Sequence, residues 1–157
     1  MAYNHRARAH HARGDLERAA ADCESALAIH PRYAAAYNSR GSVQNAKGRH
    51  SSAIDDFTRA IAIDPRMKEA LANRGMARRA AGDLDGAFTD FTQALSIDPT
   101  FAPAYNSRGN VRLARREWDE AIRDYTRALQ HDGRYKEAHC NRAVARLRKG
   151  DARGHHR

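Results

Sequence analysis

The sequence repeats every 34 residues, without insertion or deletion, from Tyr3 onward. In that register Ala19, Ala53, Ala87 and Ala121 share one column, and Ala26, Ala60, Ala94 and Ala128 share another. Gly14, Gly48, Gly82 and Gly150 form a third column, and Pro31, Pro65 and Pro99 a fourth. A fixed period of this length means that each copy is a small supersecondary unit that buries its apolar face only by stacking on its neighbours. No single central core is expected.

Each copy reads as two helices. In residues 34–67 the segment 35–47 places Ala36, Tyr37, Val43 and Ala46 on a helical stripe. It ends at Gly48, which supplies the left-handed conformation common after a helix. The segment 52–63 carries Ala53, Ile54, Phe57, Ala60 and Ile61 at helical spacing. It stops at Asp64-Pro65, because proline disfavours helix in the residue before it. Asp15, Asp83 and Glu117 stand where a carboxylate can cap or favourably charge the second helix. Gly41, Gly75 and Gly109 recur in mid-helix, where glycine costs about 1 kcal/mol relative to alanine. A neighbouring helix is therefore expected directly against that backbone.

The order Tyr37, Gly41, Gly48, Ala53, Phe57, Ala60, Pro65 resembles the tetratricopeptide repeat, whose signature sets aromatic, small, alanine and proline positions at these spacings. The resemblance spans residues 2–150. It implies an all-α, right-handed superhelical solenoid of antiparallel helix pairs with a concave face lined by each pair's first helix. The repeats are 1–33, 34–67, 68–101 and 102–135, followed by a capping helix at 136–149 and a disordered tail at 150–157. The capping helix presents His139, Arg142 and Arg146, a polar face expected to be solvated. Arg116 replaces the turn glycine, at a cost of about 1 kcal/mol if that position is left-handed. Gly133 replaces the proline, so the fourth repeat is expected to close more loosely.

Arg6, Arg40, Arg74, Arg108 and Arg142 form one column, and Asp22, Asp56, Asp90 and Asp124 another on the second helices. A residue required in every copy serves the packing of the repeat, so an Arg–Asp ladder that fixes helix register is expected. Residues that vary from copy to copy are better candidates for a ligand. On the concave face implied by the resemblance these include Asn38, Ser42, Asn45, Asn73, Arg79, Asn106, Asn110 and Asn141. Asparagine both donates and accepts, so a row of them can pair with the backbone of an extended peptide whatever its sequence. The Lys and Asn pattern of the family's carboxylate clamp for chaperone C-termini is absent in every register.

The net charge of +9 is uneven: residues 102–157 carry 14 Lys/Arg against 7 Asp/Glu, and residues 1–101 carry 14 against 12. Arg112, Arg115, Arg116, Arg146, Arg148, Lys149, Arg153 and Arg157 belong to the basic part. Such a surface can attract nucleic acid or an acidic partner, although cations at helix C-termini also complement the macrodipole. Aromatic platforms for single-stranded nucleic acid are lacking, which weakens that alternative. No apolar run approaches the about 20 residues that a membrane span needs, and no signal peptide is evident at the start. Two cysteines, Cys23 and Cys140, make no disulfide framework. His5, His10 and His11 lack the spacing of a zinc site, and neither a catalytic constellation nor a phosphate-cradling loop is evident. The expectation is a cytoplasmic interaction scaffold, without catalysis, metal or cofactor, for an extended peptide or a partner helix. Self-association through the repeat ends, or membership of a longer array, is a further expectation.

Overall fold

The computed structural model describes residues 15–154. The elements are α1 (Leu16–Ile29), α2 (Ala34–Ala46), α3 (His50–Ile63), α4 (Lys68–Ala80), α5 (Leu84–Ile97), α6 (Ala102–Ala114), α7 (Trp118–His131) and α8 (Lys136–Gly154). Among the described residues no strand is present. The chain divides into two compact units, residues 1–83 and 84–157, so the division falls between the two helices of the third repeat. In unit 1, α1 packs on α2, α2 on α3, and α3 on α4. In unit 2, α5 packs on α6, α6 on α7, and α7 on α8.

The turns explain the boundaries. Gly48 and Gly82 adopt φ of 78° and 92°, and Arg116 takes the same left-handed region at 63°. After α2, the Arg49 amide donates to the Gln44 carbonyl at 2.9 Å and that of Gly48 to Asn45 at 3.0 Å. The Glu117 and Arg116 amides repeat these bonds to Arg112 and Leu113 after α6. Such paired bonds satisfy carbonyls left over at a helix end. They are so compact that α3 begins at His50, two residues ahead of the sequence expectation. Asp15 caps α1 by accepting the Arg18 amide at 3.2 Å, whereas the Glu117 side chain makes no cap bond to α7.

Three of the four described turns between repeats carry an aspartate, and the first has His30 in its place. Asp64, Asp98 and Asp132 each accept, through the side chain, the amide two residues on, at 3.2, 3.0 and 3.2 Å. Asp132 closes with the same backbone bond from Tyr135 that Met67 and Phe101 give to Asp64 and Asp98. Gly133 therefore does not loosen the fourth repeat, contrary to expectation, because the closing backbone bond and the Asp132 side-chain bond both form without the proline.

Alanines dominate the buried interior, with Phe57 in unit 1 and Phe91, Tyr105 and Tyr125 in unit 2 among its large rings. A Cβ at Gly41 would sit 2.6 Å from the Phe57 ring, and one at Gly109 2.6 Å from the Tyr125 ring. The glycines thus admit an aromatic ring from the second helix of the same repeat, rather than a bare neighbouring backbone. Cys23 is buried on α1, and burial pushes its thiol up to about 12, which makes it inert. Cys140 is exposed.

The last helix departs from expectation. It continues through Lys149 to Gly154, so residues 150–154 are helical rather than a disordered tail. Gly150 does not take the left-handed turn of its column. In the complete repeats that turn delivers the chain into a second helix; here no second helix follows among the described residues, and α8 runs on.

Candidate functional site

The Arg–Asp ladder forms within repeats. Arg40 Nε and Nη2 donate to the two Asp56 oxygens at 3.0 and 2.7 Å, and Arg108 does the same to Asp124 at 3.0 and 2.8 Å. The Asp56 carboxylate holds the Arg40 guanidinium above its usual range. The arginines also reach backward: Arg74 donates to Thr58 at 3.2 Å, Arg108 to Thr92 at 3.4 Å and Arg142 to Thr126 at 3.2 Å. Arg74, Arg108 and Arg142 thus each join their helix to the preceding repeat. Sequence reasoning missed these threonines, although Thr58, Thr92 and Thr126 are themselves 34 residues apart. Arg6 lies outside the described residues.

A second ladder links first helices. Asn73 Nδ2 donates to Asn38 Oδ1 at 3.0 Å in unit 1, and Asn141 Nδ2 to Asn106 Oδ1 at 3.1 Å in unit 2. Asn106 is buried and also lies 3.4 Å from the Tyr135 hydroxyl. Asn110 Oδ1 accepts the Tyr125 hydroxyl at 2.7 Å, and Asn45 Oδ1 lies 2.6 Å from His50 Nδ1. The amides foreseen as ligand contacts are therefore partly engaged with one another.

A cavity opens on this face in unit 1. There Ser42, Asn45, Ala46, Phe57, Asn73 and Met76 line a shallow cavity of about 250 Å³. Gly41 is what lets the Phe57 ring reach the floor. Met76 is 42% exposed at the rim. Of the predicted residues, Ser42, Asn45 and Asn73 meet here; Arg79 is exposed on α4 and does not line the cavity. Phe57 and Met76 supply the apolar part that sequence reasoning missed. Phe57 recurs in its column, which points to packing, and it stays 1% exposed, so only the edge of its ring closes the bottom of the cavity. Tyr33 and its turn neighbours Ile29, His30, Pro31 and Arg32 border a wider, open apolar hollow, also in unit 1.

Three cations of the basic part have carboxylate partners. Arg112 lies 3.4 Å from Asp124, Arg115 pairs with Asp85, and Lys149 with Asp119. Arg108, Arg112 and Arg115 also converge on the Phe88 ring, with guanidinium carbons 5.9, 5.2 and 5.2 Å from its centroid. Among the described residues no cluster of three or more His, Cys, Asp or Glu could hold a metal ion. His5, His10 and His11 lie outside them. No helix of the described residues is long and apolar enough to cross a membrane.

Two sequence profiles, both described as tetratricopeptide repeat, match residues 5–67 and then residues 68–101 and 102–135. The chain belongs to the tetratricopeptide-repeat family. A comparison of the sequence with curated proteins gives no match. Among solved structures, Pseudomonas aeruginosa pilF is similar with a TM-score of 0.88 and 20% identity, over 96% of this chain and 68% of that one. MamA is similar at a TM-score of 0.79 and 21% identity, over 92% of this chain and 84% of its own. The first TPR domain of Spaghetti (RPAP3), bound to the HSP90 peptide SRMEEVD, matches at 0.72 and 25% identity, over 74% of this chain and 93% of that domain. The first two likenesses speak to the fold. The third shows a TPR relative holding a peptide.

Proposed function

We propose that the chain is a non-catalytic interaction scaffold that holds an extended peptide or a partner helix against its first helices. The observation that carries this reading is the unit 1 cavity, with Phe57 below and Ser42, Asn45, Asn73 and Met76 around it. It has room for one apolar side chain, and the amides at its edge can pair with the backbone on either side. Asn38, Arg79, Asn106, Asn110 and Asn141 are further contacts along the same columns. Asn106 contributes less, because it is buried as well as bonded to Asn141. The peptide held by the Spaghetti domain supports a peptide ligand in general. The clamp residues for a chaperone C-terminus are missing here, so a different peptide is expected. The reading calls for no cofactor or metal and fits a cytoplasmic setting.

Peptides selected from a displayed library against the wild-type chain test this. Met76→Asp places an uncompensated charge at the cavity rim and is expected to weaken them at least about tenfold, with helix content unchanged. Undiminished binding would remove the cavity from the reading.

A further inference from the structure

Two carboxamides border the unit 1 cavity, and each is held by a residue outside it. Asn45, near the end of α2, meets His50 at the start of α3, with its Oδ1 2.6 Å from His50 Nδ1. An amide oxygen can only accept, so the proton of this bond sits on His50 Nδ1. The Nδ2 end of Asn45 takes no part in the bond and is the end left for a ligand. Asn73 on α4 is held the opposite way round. Its Nδ2 donates to Asn38 Oδ1 at 3.0 Å, which leaves its own Oδ1 as an acceptor.

The Asn45–His50 pair breaks the repeat at both positions. The column of His50 otherwise holds Leu16, Leu84 and Trp118, and that of Asn45 holds His11, Arg79, Leu113 and Leu147. The pair therefore belongs to the second repeat alone, beside the cavity, where the packing common to the copies does not call for it. The turn at Gly48 makes it possible: amide bonds from Gly48 to Asn45 and from Arg49 to Gln44 fold the chain back just ahead of His50. None of Ser42, Asn45, Ala46, Phe57, Asn73 and Met76, which line the cavity, is charged. Its rim thus sets a fixed donor on α2 against a fixed acceptor on α4. An extended chain carries free N–H and C=O groups to match both, whereas the interior of a helix has already bonded its own.

We propose that His50 and Asn38 are positioning residues that set which end of each amide faces the cavity, and that the partner is an extended peptide rather than a helix. One apolar side chain of the peptide fills the cavity. Beside it a backbone N–H donates to Asn73 Oδ1, and a neighbouring carbonyl accepts from Asn45 Nδ2. This extends the peptide-binding reading of the unit 1 cavity and rests on it.

The probe is a linear peptide of about twelve residues and zero net charge, selected from a displayed random library for binding that Met76→Asp weakens. Titrations are run at high salt to suppress charge effects. His50→Lys keeps a donor against Asn45 Oδ1 and is expected to bind within about twofold of the wild-type chain. His50→Glu offers only acceptors, draws Asn45 Nδ2 away from the cavity, and is expected to bind at least about tenfold more weakly. Stability is expected to run the other way, since a carboxylate in the first turn of α3 favours the helix and an ammonium does not. A merely structural role for His50 would make binding follow stability instead. Replacing the backbone amides of the peptide by esters, one at a time, is expected to cost about fivefold at one or two adjacent positions, and Asn73→Ala should shrink that loss. Equal binding by His50→Lys and His50→Glu would overturn the proposal, as would an ester loss spread over a full helical turn. If every selected peptide ignores Met76→Asp, the cavity reading itself fails and the proposal with it.

Discussion

Units 1 and 2 are built from the same repeat yet resolve its constraints differently. In unit 1 the floor ring is Phe57, whose neighbour on the first helix is the small Ser42, and a cavity remains. In unit 2 the ring is Tyr125, anchored through its hydroxyl to Asn110. In unit 1 Asp56 pairs with Arg40, whereas in unit 2 Asp124 receives both Arg108 and Arg112. The position of Ile54 in unit 1 is Phe88 in unit 2, and three arginines gather on it. Around Phe88 and Asp124 the arginines of unit 2 serve internal contacts, while beside Phe57 unit 1 keeps an amide-edged cavity. The difference teaches that columns repeated in every copy hold the hairpins together, and that binding capacity arises where a copy departs from the pattern.

Removing the ladder arginine tests this with the largest expected effect. Arg40→Ala strands the buried Asp56 carboxylate and is expected to lower stability in urea by about 3 kcal/mol. Arg108→Ala is expected to cost less, about 2 kcal/mol, because Arg112 remains 3.4 Å from Asp124. Equal losses would deny Arg112 that supporting part. The glycines come next. Gly109→Ala forces the tethered Tyr125 ring aside and is expected to cost about 2 kcal/mol, while Gly41→Ala, whose ring borders a cavity, is expected to cost about 1 kcal/mol.

A smaller effect of opposite sign is expected at the unit 2 turn. Arg116→Gly relieves a left-handed non-glycine residue and should raise stability by about 1 kcal/mol or less, partly offset by greater freedom in the unfolded chain. The smallest concerns an ion-pair column. Glu17 pairs with Lys47, Asp85 with Arg115 and Asp119 with Lys149, each 30 residues apart, whereas the positions between the first two pairs in the repeat register, 51 and 81, hold Ser51 and Ala81. Introducing Ser51→Asp with Ala81→Arg should add no more than about 0.5 kcal/mol, read as a slight rise in melting temperature that vanishes in high salt.

Much of this was legible in the period itself. Gly48, Gly82 and Arg116 mark the left-handed turns they were expected to mark, and the Arg–Asp ladder follows from two columns at matching heights. What was not legible depends on which side chains find one another. A row of asparagines reads as an open binding surface, yet Asn73 and Asn141 bond Asn38 and Asn106, because amides on adjacent first helices are close enough to pair. Phe57 and Phe91 look alike in sequence, and nothing in that column says that a cavity forms beside Phe57. The end of α8 was misjudged for a similar reason: a glycine signals a turn only where a following helix draws the chain into one.

The most direct test is amide hydrogen exchange of the full chain with and without a library-selected peptide. New protection is expected in α2 around residues 38–46 and in α4 around residues 72–79, the segments that border the unit 1 cavity. Protection confined to the second helices α3, α5 and α7, or to the basic helix α8, would contradict binding on the first-helix face.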